Sequence, residues 1–179
     1  MKYFIHTESD VLIQENSTNI EFVSFAVIAG DGRIFHAEIG TDGHGRRGPM
    51  SFEIHGSRNE IRKAFQDFLH GDNMPVFYGY DANYCWTCIC WLFGGSENLP
   101  FGFNQYCRDL HQMLDESDNG VHASNADCND PLSWALWCKE LYNHLTDTSR
   151  NQITVNPHVP DNISVTVRVT QHADKTTYG

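Results

Sequence analysis

The sequence is short of positive charge. Twelve Lys and Arg stand against 23 Asp and Glu in 179 residues, a formal net charge of −11. That disfavours a protein that binds nucleic acid by coating its phosphates, a mode that needs net basic surface. It leaves open an enzyme that gathers carboxylates around divalent cations, because the metals invert the local field. Long hydrophobic runs are missing too: no apolar stretch approaches the roughly 20 residues of a membrane span. Met1-Lys2-Tyr3-Phe4-Ile5-His6 meets polar residues too early for a signal peptide, so a soluble, cytoplasmic chain with no membrane partner is expected. Zinc-finger spacing is also absent. Cys85-Trp86-Thr87-Cys88 is formally a CxxC, yet no second CxxC or HxxxH follows at the required distance. The six cysteines (Cys85, Cys88, Cys90, Cys107, Cys128 and Cys138) therefore read mostly as reduced, buried small hydrophobes. What the chain does have is 40% hydrophobic and 12% aromatic residues, enough for a sizeable core.

Local patterns give the order of elements. Lys2–Thr7, Ile20–Ala29 and Arg33–Ile39 read as strands, the last two joined by the hairpin signal Gly30-Asp31-Gly32. Thr41–Pro49 reads as a Gly/Arg-rich loop. Ser57-Arg58-Asn59-Glu60 is a capping box that opens a helix through Leu69, with Gly71 as its stop. Pro75–Tyr80 reads as a buried strand and Tyr84–Phe93 as an apolar helix ending at Gly94-Gly95. Gln105–Leu114 mixes strand and helix signals. Asp130 followed by Pro131 caps a last helix over Leu132–Leu145. Ile163, Val165, Val167 and Val169 then alternate with polar residues, as a half-buried strand does. The order implies an α/β domain over residues 1–146, a mixed sheet with an antiparallel meander, followed by an extension over 147–179 that carries one predicted strand.

Three clusters carry chemistry: His6-Thr7-Glu8 at a strand end, Asp81-Ala82-Asn83-Tyr84-Cys85 where a strand hands over to a helix, and His122-Ala123-Ser124-Asn125-Ala126-Asp127 before the last helix. Strand ends and helix starts border the crevice of an open α/β sheet. On these motifs, and on Leu99-Pro100-Phe101-Gly102 with Tyr106 to Leu114, residues 1–146 resemble the DEDDh-type 3′–5′ exonucleases of the ribonuclease H-like fold. The similar branch is the small poly(A)-directed exoribonuclease group called RNase AS. The resemblance implies a ribonuclease H-like mixed sheet flanked by helices, a single-stranded RNA or nucleotide 3′ end as partner, and a homodimer.

In that family two Mg²⁺ or Mn²⁺ ions about 3.5–4 Å apart clamp the scissile phosphate, and a histidine deprotonates the attacking water. Carried over residue by residue, Glu8 and Asp127 are metal ligands and His122 is the base. Position 6 is His where the family has Asp, and position 85 is Cys where it has its second Asp. Three readings stay open. Asp81, or less directly Asp10, supplies a missing carboxylate. His6, Glu8, Cys85 and Asp127 together hold one Zn²⁺-like ion. Or the site has decayed, holds no metal, and His6 and Cys85 only fill space.

Other features bear on partners. Arg46, Arg47, Arg58, Arg62 and Lys63, five of the twelve basic residues, lie in one segment suited to phosphates, which a solvated helix face explains equally well. Trp86, Trp91, Trp134 and Trp137 read as core or near-core residues, although Trp86, beside the crevice, is also placed to stack a base. Histidines other than His6 and His122 read as surface or loop residues. Three functions follow: a working exoribonuclease, an inactive exonuclease-like module that binds RNA or nucleotide ends, or an acidic inhibitor of a nucleic-acid-binding protein.

Overall fold

In the computed structural model the described residues are 1–14, 17–39, 45–47, 50–69, 71–117 and 130–146. β1 (Lys2–Gln14) and β2 (Ser17–Ala29) form a long antiparallel hairpin, and β3 (Ile34–Ile39) pairs antiparallel with β2. β5 (Ser51–Gly56) lies parallel to β3, with the short β4 (Gly45–Arg47) antiparallel outside it. On the other side β6 (Val76–Gly79) runs parallel to β1, and β7 (Arg108–Asp109) parallel to β6. The order across this seven-stranded mixed sheet is β4-β5-β3-β2-β1-β6-β7.

Alternation along β1 sends side chains to two cores, one on each face of the sheet. Tyr3 and Ile5 join Phe25, Val27 and Phe35 under α1 (Arg58–Phe68) and α2 (Ala82–Phe93). Phe4 joins Ala26, Ile28 and Tyr78 under α3 (Leu110–Asp115) and α4 (Pro131–Thr146). Helices thus flank both faces, as the sequence implied. No helix among the described residues is long and apolar enough to cross a membrane.

The helix ends follow local chemistry. The Ser57 amide and hydroxyl both donate to the Glu60 carboxylate, at 2.8 and 2.7 Å, closing the capping box of α1. Asp130 accepts from the Leu132 and Ser133 amides at 2.9 and 3.0 Å and caps α4. Gly94, at φ 87°, takes the left-handed turn that ends α2.

The strands differ more from expectation. β1 runs to Gln14 rather than Thr7, because the backbone ladder with β2 continues past Glu8 as far as Gln14↔Ser17. At Glu8 the register shifts: Glu8 pairs with Ser24 and Ser9 with Phe22, leaving Val23 as the extra residue of a bulge. β4 sits inside the stretch read as a loop. β5 was not expected at all, although Phe52 and Ile54 alternate with Ser51, Glu53 and His55 and pack against the first core. The predicted strand over 163–169 lies outside the described residues.

Candidate nucleotide pocket

β1 and β6 are parallel, and their carboxyl ends meet the start of α2. A cavity of about 650 Å³ opens there. β1 contributes His6, Thr7 and Glu8; the β6–α2 junction contributes Tyr80 and Asp81; α2 contributes Tyr84 and Cys85; and α4 contributes Trp134. Two of the three sequence clusters therefore share one cavity. His122 and Asp127 lie outside the described residues, as do the side chains of Asp10, Arg46 and Arg47.

The pocket has an aromatic wall. His6 stacks on Trp134 with ring centroids 5.1 Å apart and planes at 17°. Trp134 lies 6.4 Å from Tyr80, which stacks on His111 at 4.7 Å and 15°. Burial among these rings pushes the His6 pKa down to about 4, against an opposing pull from Asp81 and Asp130. His6 is therefore a neutral imidazole at physiological pH. Its Nδ1 is buried with no hydrogen-bond partner among the described residues.

Cys85 forms the floor. It is 1% exposed, and its Sγ sits 3.9 Å from the Ile5 carbonyl oxygen. Burial pushes its thiol pKa up to about 11, outweighing a lowering by Thr7. Gly79, the last residue of β6, makes this close approach workable: a Cβ there would stand 3.3 Å from the Ile5 oxygen and 3.5 Å from the Cys85 sulfur.

The carboxylates are committed in different ways. Glu8, exposed at the mouth, accepts from the Ser24 hydroxyl at 3.0 Å. Asp81 precedes α2 in left-handed backbone, φ 53° and ψ 53°, a conformation that Asp tolerates better than most residues. Its Oδ1 lies 3.1 Å from His111 Nδ1, a contact that raises the His111 pKa. Asp109 braces both neighbours: Oδ2 accepts from the Ala82 amide at 3.1 Å and Oδ1 from the His111 amide at 2.8 Å. Asp109→Ala is expected to cost about 1–2 kcal/mol, as other lost caps do, read from urea melts.

A metal centre asks for converging donors. Among the described residues no group of three His, Cys, Asp or Glu is placed to hold a metal ion. Cys85 is 1% exposed, with its sulfur turned to the Ile5 carbonyl oxygen beneath the pocket. Glu8 and Asp81 are the carboxylates that line the pocket among the described residues, and the expected ligand Asp127 lies outside them.

Some expected contacts fall elsewhere. Trp86 is 8% exposed, packs on Phe77 in the first core and does not line the pocket, because one residue of helix turns it about 100° from Cys85. Arg58 donates to the Leu92 carbonyl at 3.2 Å and stacks on Trp91, so it grips the far end of α2. Arg62 follows it one turn later on α1 and is likewise absent from the pocket lining. His111, read as a surface or loop residue, is half-exposed on α3, where its ring also holds Asp81. Tyr80, Trp134 and His111 were missed as site residues. The available signal was position: Trp134 lies in the first turn of the capped helix α4, and Tyr80 directly follows β6.

No family model matches the chain. It is similar to the proteins named 3′-5′ exoribonuclease in strains CDC 1551 and H37Rv of Mycobacterium tuberculosis. The identity is 27% over 131 residues, covering 65% of this chain and 75% of each relative.

Proposed function

We propose that this protein is of exoribonuclease descent and binds the 3′-terminal nucleotide of RNA in the pocket at the β1–β6–α2 junction, without cutting it by divalent metal ions. The observation that carries the reading is Cys85. At the strand-to-helix position where the family resemblance calls for a carboxylate, a 1%-exposed cysteine turns its sulfur to the Ile5 carbonyl oxygen under the pocket floor.

The rest of the pocket favours binding through a base. A nucleobase stacks on aromatic faces irrespective of sequence, and Trp134, Tyr80 and His6 line one wall. Neutral His6 offers a hydrogen-bonding imidazole without attracting phosphate. With a net charge of −11, binding that relies on one terminal base rather than on many phosphates gives a shallow salt dependence. Relatives named 3′-5′ exoribonuclease support RNA, and a 3′ end, as the ligand class.

The test uses 5′-labelled oligoadenylate. Binding is expected in EDTA, with the strand left intact in Mg²⁺ and in Mn²⁺. Trp134→Ala should weaken binding about tenfold, the loss of one stacking platform. A Mn²⁺-dependent ladder abolished by Glu8→Gln would overturn the reading. One observation favours a second reading, a working exonuclease: Asp81 also lines the pocket and its carboxylate is exposed. That reading requires the ladder to vanish in Asp81→Asn as well.

A further inference from the structure

We infer that a second cavity, on the other side of the first turn of α2, is a subsite for the base of the preceding nucleotide. This inference rests on the proposed function, since it places a neighbour beside the terminal nucleotide bound there. The cavity measures about 350 Å³ and lies between α2, β7 and α3. That is the low end of the range for small-molecule sites, and it suits one base with its ribose.

Its lining combines two braced residues with an exposed ring and three polar side chains. Arg108 donates from Nη1 to the Tyr78 hydroxyl at 3.1 Å and lies over that ring at 5.5 Å. Asp109 spends both oxygens on the Ala82 and His111 amides. These contacts fix Arg108 and Asp109 in the wall of the cavity. Tyr106, by contrast, is 57% exposed. The polar residues Asn83, Gln112 and Glu116 also line the cavity.

That set is the chemistry of base recognition. An exposed aromatic ring gives a stacking face. Carboxamides present a donor and an acceptor side by side, matching the edge of a base, and a carboxylate accepts from an exocyclic amine. Arg108 supplies positive charge at the wall for the phosphate that links the two nucleotides. A phosphate-only ligand would leave the amides, the carboxylate and the ring unused.

The two cavities flank the first turn of α2. Asp81, Tyr84 and Cys85 line the first while Asn83 lines the second, so adjacent residues of one helical turn separate them. A chain ending in the first cavity passes this turn to reach the second.

The experiment compares AMP with the dinucleotide pApA by calorimetry on the full chain, in EDTA. Wild-type protein is expected to bind pApA about tenfold more tightly than AMP, the value of one stacked base. Tyr106→Ala should remove that preference and leave AMP affinity unchanged, while Tyr106→Phe keeps it. Gln112→Ala, on the exposed face of α3, should reduce the preference in the same direction. Equal affinity for the two ligands in wild-type protein, or an equal loss for both in Tyr106→Ala, overturns the subsite but spares the proposed function. Binding of neither ligand overturns both.

Discussion

Replacing Cys85 by Asp, the residue type that the exonuclease resemblance calls for at this position, is expected to destabilise the protein by about 3–5 kcal/mol at pH 7. That is the usual cost of leaving a buried charge without a partner. The side chain at this position is 1% exposed and faces the Ile5 carbonyl oxygen at 3.9 Å, beside Gly79 and Thr7. An acceptor facing an acceptor gains nothing, and the described residues around Cys85 supply no cation. The new carboxyl should therefore titrate above its ordinary value. With the folded pKa above the unfolded one, stability is retained at low pH and lost as pH rises through the folded pKa, so the penalty should shrink towards pH 5. Cys85→Ser is the comparator: its hydroxyl can donate to the Ile5 oxygen as the thiol does, and about 1 kcal/mol is expected. Urea melts at pH 5 and 7 read both effects. Melts of Cys85→Asp in EDTA and in Mn²⁺ should coincide. A loss under about 1 kcal/mol at pH 7, or clear stabilisation by Mn²⁺, would overturn the claim that this position is sealed against a charged ligand.

Those residues were legible in the sequence because their signals are local. A strand ending His6-Thr7-Glu8 and a turn running from Asp81 to Cys85 announce their own positions, and parallel pairing of β1 with β6 then puts both at one end of the sheet. The helices were legible for the same reason: Ser57 with Glu60, Gly94 and Asp130 are caps that act within four residues. Non-local pairing was not. The outer half of β1 and all of β5 are held by ladders to strands elsewhere in the chain, which short-range propensity does not encode. The aromatic wall failed the same way. His6, Tyr80, His111 and Trp134 come from four elements or junctions, and only the packing of α4 and α3 on one sheet face stacks their rings. For Trp86 the core reading holds and the base-stacking alternative, suggested by adjacency to Cys85 along the chain, does not, because helix rotation turns the indole into the core.

Protonating His6 should unfold the pocket from within. Its pKa is about 4 in the folded protein against 6.5 for a free histidine, chiefly because burial beside Trp134 disfavours the imidazolium. The unfolded chain takes up this proton first. Stability from this group is thus fully present above pH 6.5 and falls progressively as pH drops to about 4. A displacement of that size corresponds to roughly 3 kcal/mol across the window. The carboxylates that face the ring, Asp81 and Asp130, already act to raise its pKa, so the loss is what remains after their help. His6→Phe keeps a flat ring on Trp134 and removes the titration. Its stability should vary less between pH 6.5 and 4.5 than that of the native chain, with the two converging or crossing at the acid end. The native protein should also lose nucleotide binding across this window faster than His6→Phe does, because the imidazolium needs water that the Trp134 stack excludes. Equal slopes of denaturation free energy against pH in the two proteins would show that His6 titrates as a solvated residue, and the stacked, neutral wall of the pocket would be wrong.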